Sequence, residues 1–249
     1  MDRAFRQGHL EIDFPTEPFD SAWRLLARSA VLFFANLRFL AAVTLLVYLP
    51  AKLALQFVLY ALDLPTSGIA AYLAFDLSDM VLSALVIPAT VFGLIAKFRG
   101  GHTASLRESL RWGCRQWGKT QWNMCKVEVT VALWGALLVI PGVVAMVRLV
   151  FADVIVAIEA DRETDVLARS RVLAKGHGWR IFFVLLPLMA ASLVGTFLIL
   201  GAFEQAAYSR VAMAVADSVL SVAGQFTTVA ILLMYLGVVR TAVPAKAER

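Results

Sequence analysis

The sequence predicts an all-α integral membrane protein of six transmembrane helices, arranged as three hairpins, each preceded by an amphipathic interfacial helix. Three observations predict it. Of the 249 residues 60% are apolar and only 16% charged, with a mean hydropathy of +0.76, whereas a soluble domain is about 45–50% apolar and about 25% charged. The basic residues are gathered into a few polar connections. A seven-residue stretch recurs just before two of the apolar runs.

The apolar runs extend from Phe39 to Ala61, Met80 to Ala96, Val127 to Ile140, Gly142 to Ile158, Ile181 to Phe203 and Val211 to Val239. A helix needs about 20 apolar residues to cross about 30 Å of hydrocarbon. Four of the runs are long enough, and the two that flank Pro141-Gly142 are short. Residues 1–19 form a polar arm with Arg3, Arg6, Glu11, Asp13 and Glu17. No apolar core follows a basic start, as a cleavable signal would need, so the arm is expected to stay in the cytosol. Residues 241–249 form a second cytosolic tail.

The placement of the 23 Lys and Arg decides the expected topology. Five precede or open the first span, seven lie between spans two and three (Lys97 to Lys126), five between four and five (Arg162 to Arg180), and three at the end. The connections "LDLPTSG" (62–68), Pro141-Gly142 and 204–209 carry no positive charge. Cytoplasmic loops are enriched in Lys and Arg, so six spans with both termini inside fit every segment. Were Val127 to Ile158 a single span, the basic connection after it would face outward. A tight outer turn at Pro141-Gly142 avoids that, and Trp117 and Trp122 then sit at headgroup level; a re-entrant pair that does not fully cross is the alternative.

The recurring stretch is "LARSAVL" (26–32), matched in six of seven residues by "LARSRVL" (167–173). A third copy, "LRESLRW" (106–112), stands before the third span. All share Leu-x-x-Ser-x-x-(Leu or Trp): Leu26, Ser29, Leu32; Leu106, Ser109, Trp112; Leu167, Ser170, Leu173. A basic residue follows each serine by nine or ten positions (Arg38, Lys119, Arg180). Spacing of three places these positions on one helical face. The organisation suggested is a single membrane domain, 20–240, of three repeat-like units at about 20–98, 99–160 and 161–240. Ser105 with Glu108 predicts a capping box, and Thr164 a cap for the third copy.

Basic on one face and apolar on the other, such helices lie in the headgroup plane, where each cation near an anionic leaflet contributes about 1 kcal/mol. The candidate lipid- or partner-binding residues are Arg28, Arg107, Arg111, Arg169, Arg171, Lys175, Trp179 and Arg180. The competing reading is a plain charged collar that sets topology. In "KGHGWR" (175–180) the glycines and cations suit a lipid phosphate at a helix start, or a flexible joint.

In the third unit, the succession Pro141-Gly142, Arg148, Phe151-Ala152, Glu159, Leu167, Arg169-Ser170, Leu173, Lys175-Gly176 and Trp179-Arg180 resembles a bacterial superfamily of multi-pass membrane proteins. That superfamily includes the YciC-like proteins and the membrane domain attached to some glycerophosphodiester phosphodiesterases. "LLMYLGVVR" (232–240) is similar to its last span. The resemblance implies a six-span module of the inner membrane without established chemistry; the phosphodiesterase activity belongs to a separate soluble domain and does not carry over.

Ionisable residues at membrane depth are candidate functional sites. Counted from Pro65, Lys52 and Asp79 reach similar depth and predict an ion pair. Counted from Pro141, Glu128 and Asp153 do the same, and with Arg148 and Glu159 they are expected to form a polar seam, either a packing network or a proton relay. Asp63, Asp76, Glu204 and Asp217 crowd the outer side. Pro50, Pro88 and Pro187 fall within spans as kinks or hinges. Cys114 and Cys125, eleven apart without a histidine pair, read as free thiols.

No nucleophile–base set, metal spacing or phosphate loop is present, and His9, His102 and His177 stand far apart. No catalytic residue, cofactor or nucleic acid is therefore expected. The function expected is that of a non-enzymatic scaffold or accessory subunit of the bacterial inner membrane. It engages anionic lipids, or a larger membrane complex or second copy, through its cytoplasmic-side helices. The alternatives are a small transporter or channel using the Arg148/Asp153/Glu128 seam, and a lipid-modifying enzyme.

Overall fold

A computed structural model describes residues 21–62, 69–100, 104–159, 165–204 and 210–242. The polar arm, the tail and the connections at 63–68 and 205–209 lie outside the described residues, as does Thr164. Among the described residues the chain is all helix: α1 (Ala22–Ala35), α2 (Leu37–Ala61), α3 (Ile69–Gly100), α4 (Leu106–Leu137), α5 (Val139–Leu149), α6 (Ala152–Ile158), α7 (Val166–Ala174), α8 (Gly178–Glu204) and α9 (Arg210–Ala242). Pro50, Pro88 and Pro187 lie inside α2, α3 and α8 without ending them.

The helix starts follow local chemistry. Ser105 accepts from the Glu108 amide while the Glu108 carboxylate accepts from the Ser105 amide, the predicted capping box. For α7 the cap is Asp165, whose carboxylate accepts from the amides of Leu167 and Ala168. An aspartate at that position satisfies two orphan donors and suits the positive end of the helix dipole. Lys97 and Arg99 occupy the last turn of α3, where cations are favoured.

Two expectations are corrected. The second surface helix is not a separate element, because α4 runs unbroken from Leu106 to Leu137. The glycines at 113 and 118 weaken a helix without stopping it, and Gln116 stands where the other two copies place a helix break. The turn after α4 also falls at Leu138, in extended conformation, not at Pro141-Gly142. Pro141 lacks the N–H that would bond the Leu137 carbonyl, so the break comes just before it, and the proline sits in the first turn of α5 where it is tolerated. Gly142 serves instead for close approach: a Cβ there would lie 2.7 Å from Gly135 Cα across the α4–α5 crossing.

Among the described residues five helical stretches are long and apolar enough to cross a membrane: Leu37–Ala61, Leu73–Arg99, Val139–Ile158, Gly178–Leu198 and Val211–Arg240. The helix α4 is not among them. Its apolar part, Val127 to Leu138, rises only about 18 Å, short of the roughly 30 Å of hydrocarbon. The crossing that composition does not supply is thus the third of the six expected.

Packing differs along the bundle. The end that carries Lys97, Arg99, Arg180 and Arg240 contains the main core: Val91, Leu94, Phe151, Ile155, Ile181, Val229, Met234 and Tyr235. Towards the other end apolar side chains are left exposed, among them Phe57, Val58 and Tyr60 of α2, Leu73 and Leu77 of α3, and Leu193, Phe197 and Leu198 of α8. Bare apolar surface of this extent on a multi-helix bundle is what hydrocarbon accepts and water does not.

Gly113 of α4 is a second close contact, with the place of its Cβ only 2.5 Å from the Leu85 carbonyl oxygen of α3. Gly113→Val is expected to cost about 1–3 kcal/mol by overpacking. Gly118→Ala, with open space around it, should be neutral or slightly stabilising. Thermal unfolding in detergent checks the contrast.

Candidate functional site

The repeated serines prove to be docking residues. Ser29, Ser109 and Ser170 are all wholly buried, each on the face by which its helix rests on another part of the bundle. The helix α1 packs on α8 and α9, the first half of α4 on α2 and α3, and α7 on α5 and α6. The second surface helix thus rests on the helices of the first unit, the third on α5 and α6 of the second, and the first on those of the last, so the three contacts close into a ring. The pattern Leu-x-x-Ser showed the shared face; nothing in it told which partner each face would meet.

At Ser170 the contact is explicit. Its hydroxyl donates to the Arg148 carbonyl at 2.9 Å and accepts from the Phe151 amide at 3.3 Å, bridging the backbone where α5 gives way to α6. Seven residues after each serine stands another polar residue: Asn36, Gln116 and His177. Asn36 is buried, donates to the Leu32 carbonyl at 2.7 Å and accepts from Lys97 at 2.5 Å.

With the serines inward, most of the predicted interfacial residues face outward. Arg28, Arg107, Arg111, Arg171, Lys175, Trp179 and Arg180 are exposed. So are Trp23, Phe34, Trp122 and Val172, the apolar side of the same surface. Arg169 differs. It turns to the Glu159 carboxylate at 3.7 Å, which also accepts from the Tyr235 hydroxyl at 2.9 Å, so it ties α7 to α9 instead of reaching outward.

The expected seam of Arg148, Asp153, Glu128 and Glu159 does not assemble. Five residues along a helix turn about 140°, so Arg148 and Asp153 point to different sides. Asp153 lies within electrostatic reach of Glu128; Glu159 belongs to Tyr235 and Arg169. Arg148 opens into a groove that it shares with Arg171.

The Lys52–Asp79 pair is present and larger than expected. The lysine is 1% exposed and bonds Asp79 and, at 2.7 Å, Asp217, so one cation joins two carboxylates from α2, α3 and α9. The Tyr48 hydroxyl approaches the Asp79 carbonyl at 3.5 Å and the Phe75 ring lies 5.6 Å from the ammonium. Thr44, Tyr48, Lys52 and Gln56, spaced by four, form a buried polar stripe along α2, and nearby Thr90 donates to Gln225 across α3 and α9 at 3.2 Å. In the sequence Asp217 belongs with the outer-side acids; counting residues inward from the connection at 205–209 puts it near the depth of Lys52.

Among the described residues no three His, Cys, Asp or Glu side chains gather as a metal site, and Cys114 and Cys125 are free. Compared with known proteins, the chain matches no family model, and no curated protein or solved structure matches it either.

Lys52→Met alone leaves two carboxylates facing each other without their cation and is expected to lose about 3–5 kcal/mol, whereas Lys52→Met with Asp79→Asn and Asp217→Asn should recover most of that. Thermal unfolding of the single and triple variants in one detergent compares them. Ser170→Ala strands the Phe151 amide and should cost about 1–3 kcal/mol, with hydrogen exchange speeding locally at 150–152.

Proposed function

We propose that this is a non-enzymatic, multi-pass membrane protein that acts as a scaffold or accessory subunit, engaging anionic lipid headgroups or a protein partner through one basic face. The observation that carries the reading is the arrangement of the three docked helices. Their serines hold them against the bundle, and their exposed sides present Arg28, Arg107, Arg111 and Arg171 beside Trp23 and Trp122, with Lys175 and Trp179 exposed where α7 passes to α8. A surface that combines cations with tryptophan suits a headgroup layer. The bacterial inner membrane, cytosolic termini, six crossings and kinship with the YciC-like superfamily belong to the same proposal. For the third crossing the short apolar part of α4 requires interfacial residues at both ends, or a re-entrant course.

A second reading has its own observation. One lysine and two aspartates at membrane depth, beside a polar stripe on α2, are the kind of grouping found on ion pathways. On this transporter reading the charges at work are Lys52, Asp79 and Asp217 in place of the Arg148/Asp153/Glu128 set.

Purification in mild detergent is expected to retain anionic lipid or a stoichiometric partner, and Arg28→Gln with Arg107→Gln and Arg111→Gln should weaken that retention. Proteoliposomes should show no proton or cation flux; a flux abolished by Asp217→Asn would move the protein to the transporter class. Single cysteines at Ser67 and Ala206 should label only from outside, and one at Arg171 only from inside.

A further inference from the structure

Between α4, α5 and α7 lies a groove of about 300 Å³. Its walls are apolar, with Trp134 on one side and Val144 and Leu149 on the other, and two arginines, Arg148 and Arg171, line it from different helices. Neither arginine pairs with a carboxylate among the described residues, whereas Arg169, two residues before Arg171 on α7, has taken Glu159. No carboxylate lines the groove, and Glu159 is taken by Tyr235 and Arg169. The backbone places both arginines on this groove. Ser170 holds the carbonyl of Arg148 itself, so the residue after Ser170 is delivered beside the Arg148 side chain.

Two unpaired cations facing one cleft repel each other unless an anion lies between them. Guanidinium groups bind phosphate oxygens in planar pairs. A free phosphate would leave the rest of the groove unused, because its remaining walls are apolar and lead on to bare hydrocarbon surface. From Trp134 and Pro141 the helices run into Leu137, Leu138, Val139 and Ile140, all exposed, the last two at 76% and 77%. The geometry points to a single anionic phospholipid bound here, its phosphate between Arg148 and Arg171 and an acyl chain along Trp134, Val144 and Leu149 towards the hairpin tip. This rests on the proposed engagement of anionic lipid and gives it one defined site.

The test is native mass spectrometry of the delipidated full-length protein in mild detergent, titrated with phosphatidylglycerol or with phosphatidylcholine. One phosphatidylglycerol is expected to bind in preference to phosphatidylcholine. Arg148→Gln with Arg171→Gln should weaken it by about tenfold or more, the loss of two charge-assisted contacts. Val144→Trp keeps both arginines and fills the groove, so it should weaken the same adduct while the protein stays folded by its melting curve. Arg24→Gln, exposed on α1 and away from the groove, should leave this adduct unchanged. Millimolar inorganic phosphate should fail to displace it; full displacement would mean a soluble-anion site and overturn the lipid. An adduct undiminished in the double arginine variant would overturn the groove while leaving lipid engagement by the basic face intact. Equal binding of both lipids by the wild type would sink both.

Discussion

A serine hydroxyl turned inward on a basic surface helix is the contact on which the basic end of this molecule is built. A helix carrying arginine and leucine in alternation could float in the headgroup layer with no fixed azimuth, because its apolar side is broad and lipid is fluid. Small side chains at Ser29, Ser109 and Ser170 let the helices approach their neighbours closely. Where such a hydroxyl also takes up backbone groups, as Ser170 does at the α5–α6 junction, approach and orientation are fixed together. The exposed cations then follow from helical geometry, since whatever stands opposite the serine must face out.

The ion triad imposes a different constraint. Lys52 stands in the buried polar stripe of α2, and its two aspartates come from helices far apart in the chain. Bringing them together fixes the lengthwise register of α2, α3 and α9, where apolar contacts alone would tolerate sliding by part of a turn. Glycine does related work on the flank: Gly113 against the Leu85 carbonyl and Gly142 against Gly135 set how closely α4 approaches its neighbours. The hydroxyls and glycines set distance, and the charges set register.

Much of this was legible in the sequence. Apolar runs and basic connections mark the helices and their grouping, the capping box appears where Ser105 and Glu108 are spaced for it, and equal counts from Pro65 align Lys52 with Asp79. What was not legible depended on the third dimension or on a local backbone competition. Pro141-Gly142 looks like a turn, yet the proline's missing donor moves the break back to Leu138, and the glycine is used for contact. The charges from Glu128 to Glu159 look adjacent when depth alone is counted, but azimuth separates them, and the kink at 150–151 lies in no residue that signals one. The pairing of Arg148 with Arg171 crosses from α5 to α7 and had no sequence signal beyond the serine that makes it.

The ring of docked helices has a consequence for synthesis. The helix α1 is made first, but Leu25, Leu26 and Phe33 find their apolar partners on α8 and α9, Phe226 among them, and these are made last. The second and third surface helices have their seats waiting when they emerge. Until the final helix enters the bundle, α1 must therefore wait with its seat unmade. Of the described helices, the one that comes first in the sequence is thus seated only by those that come last.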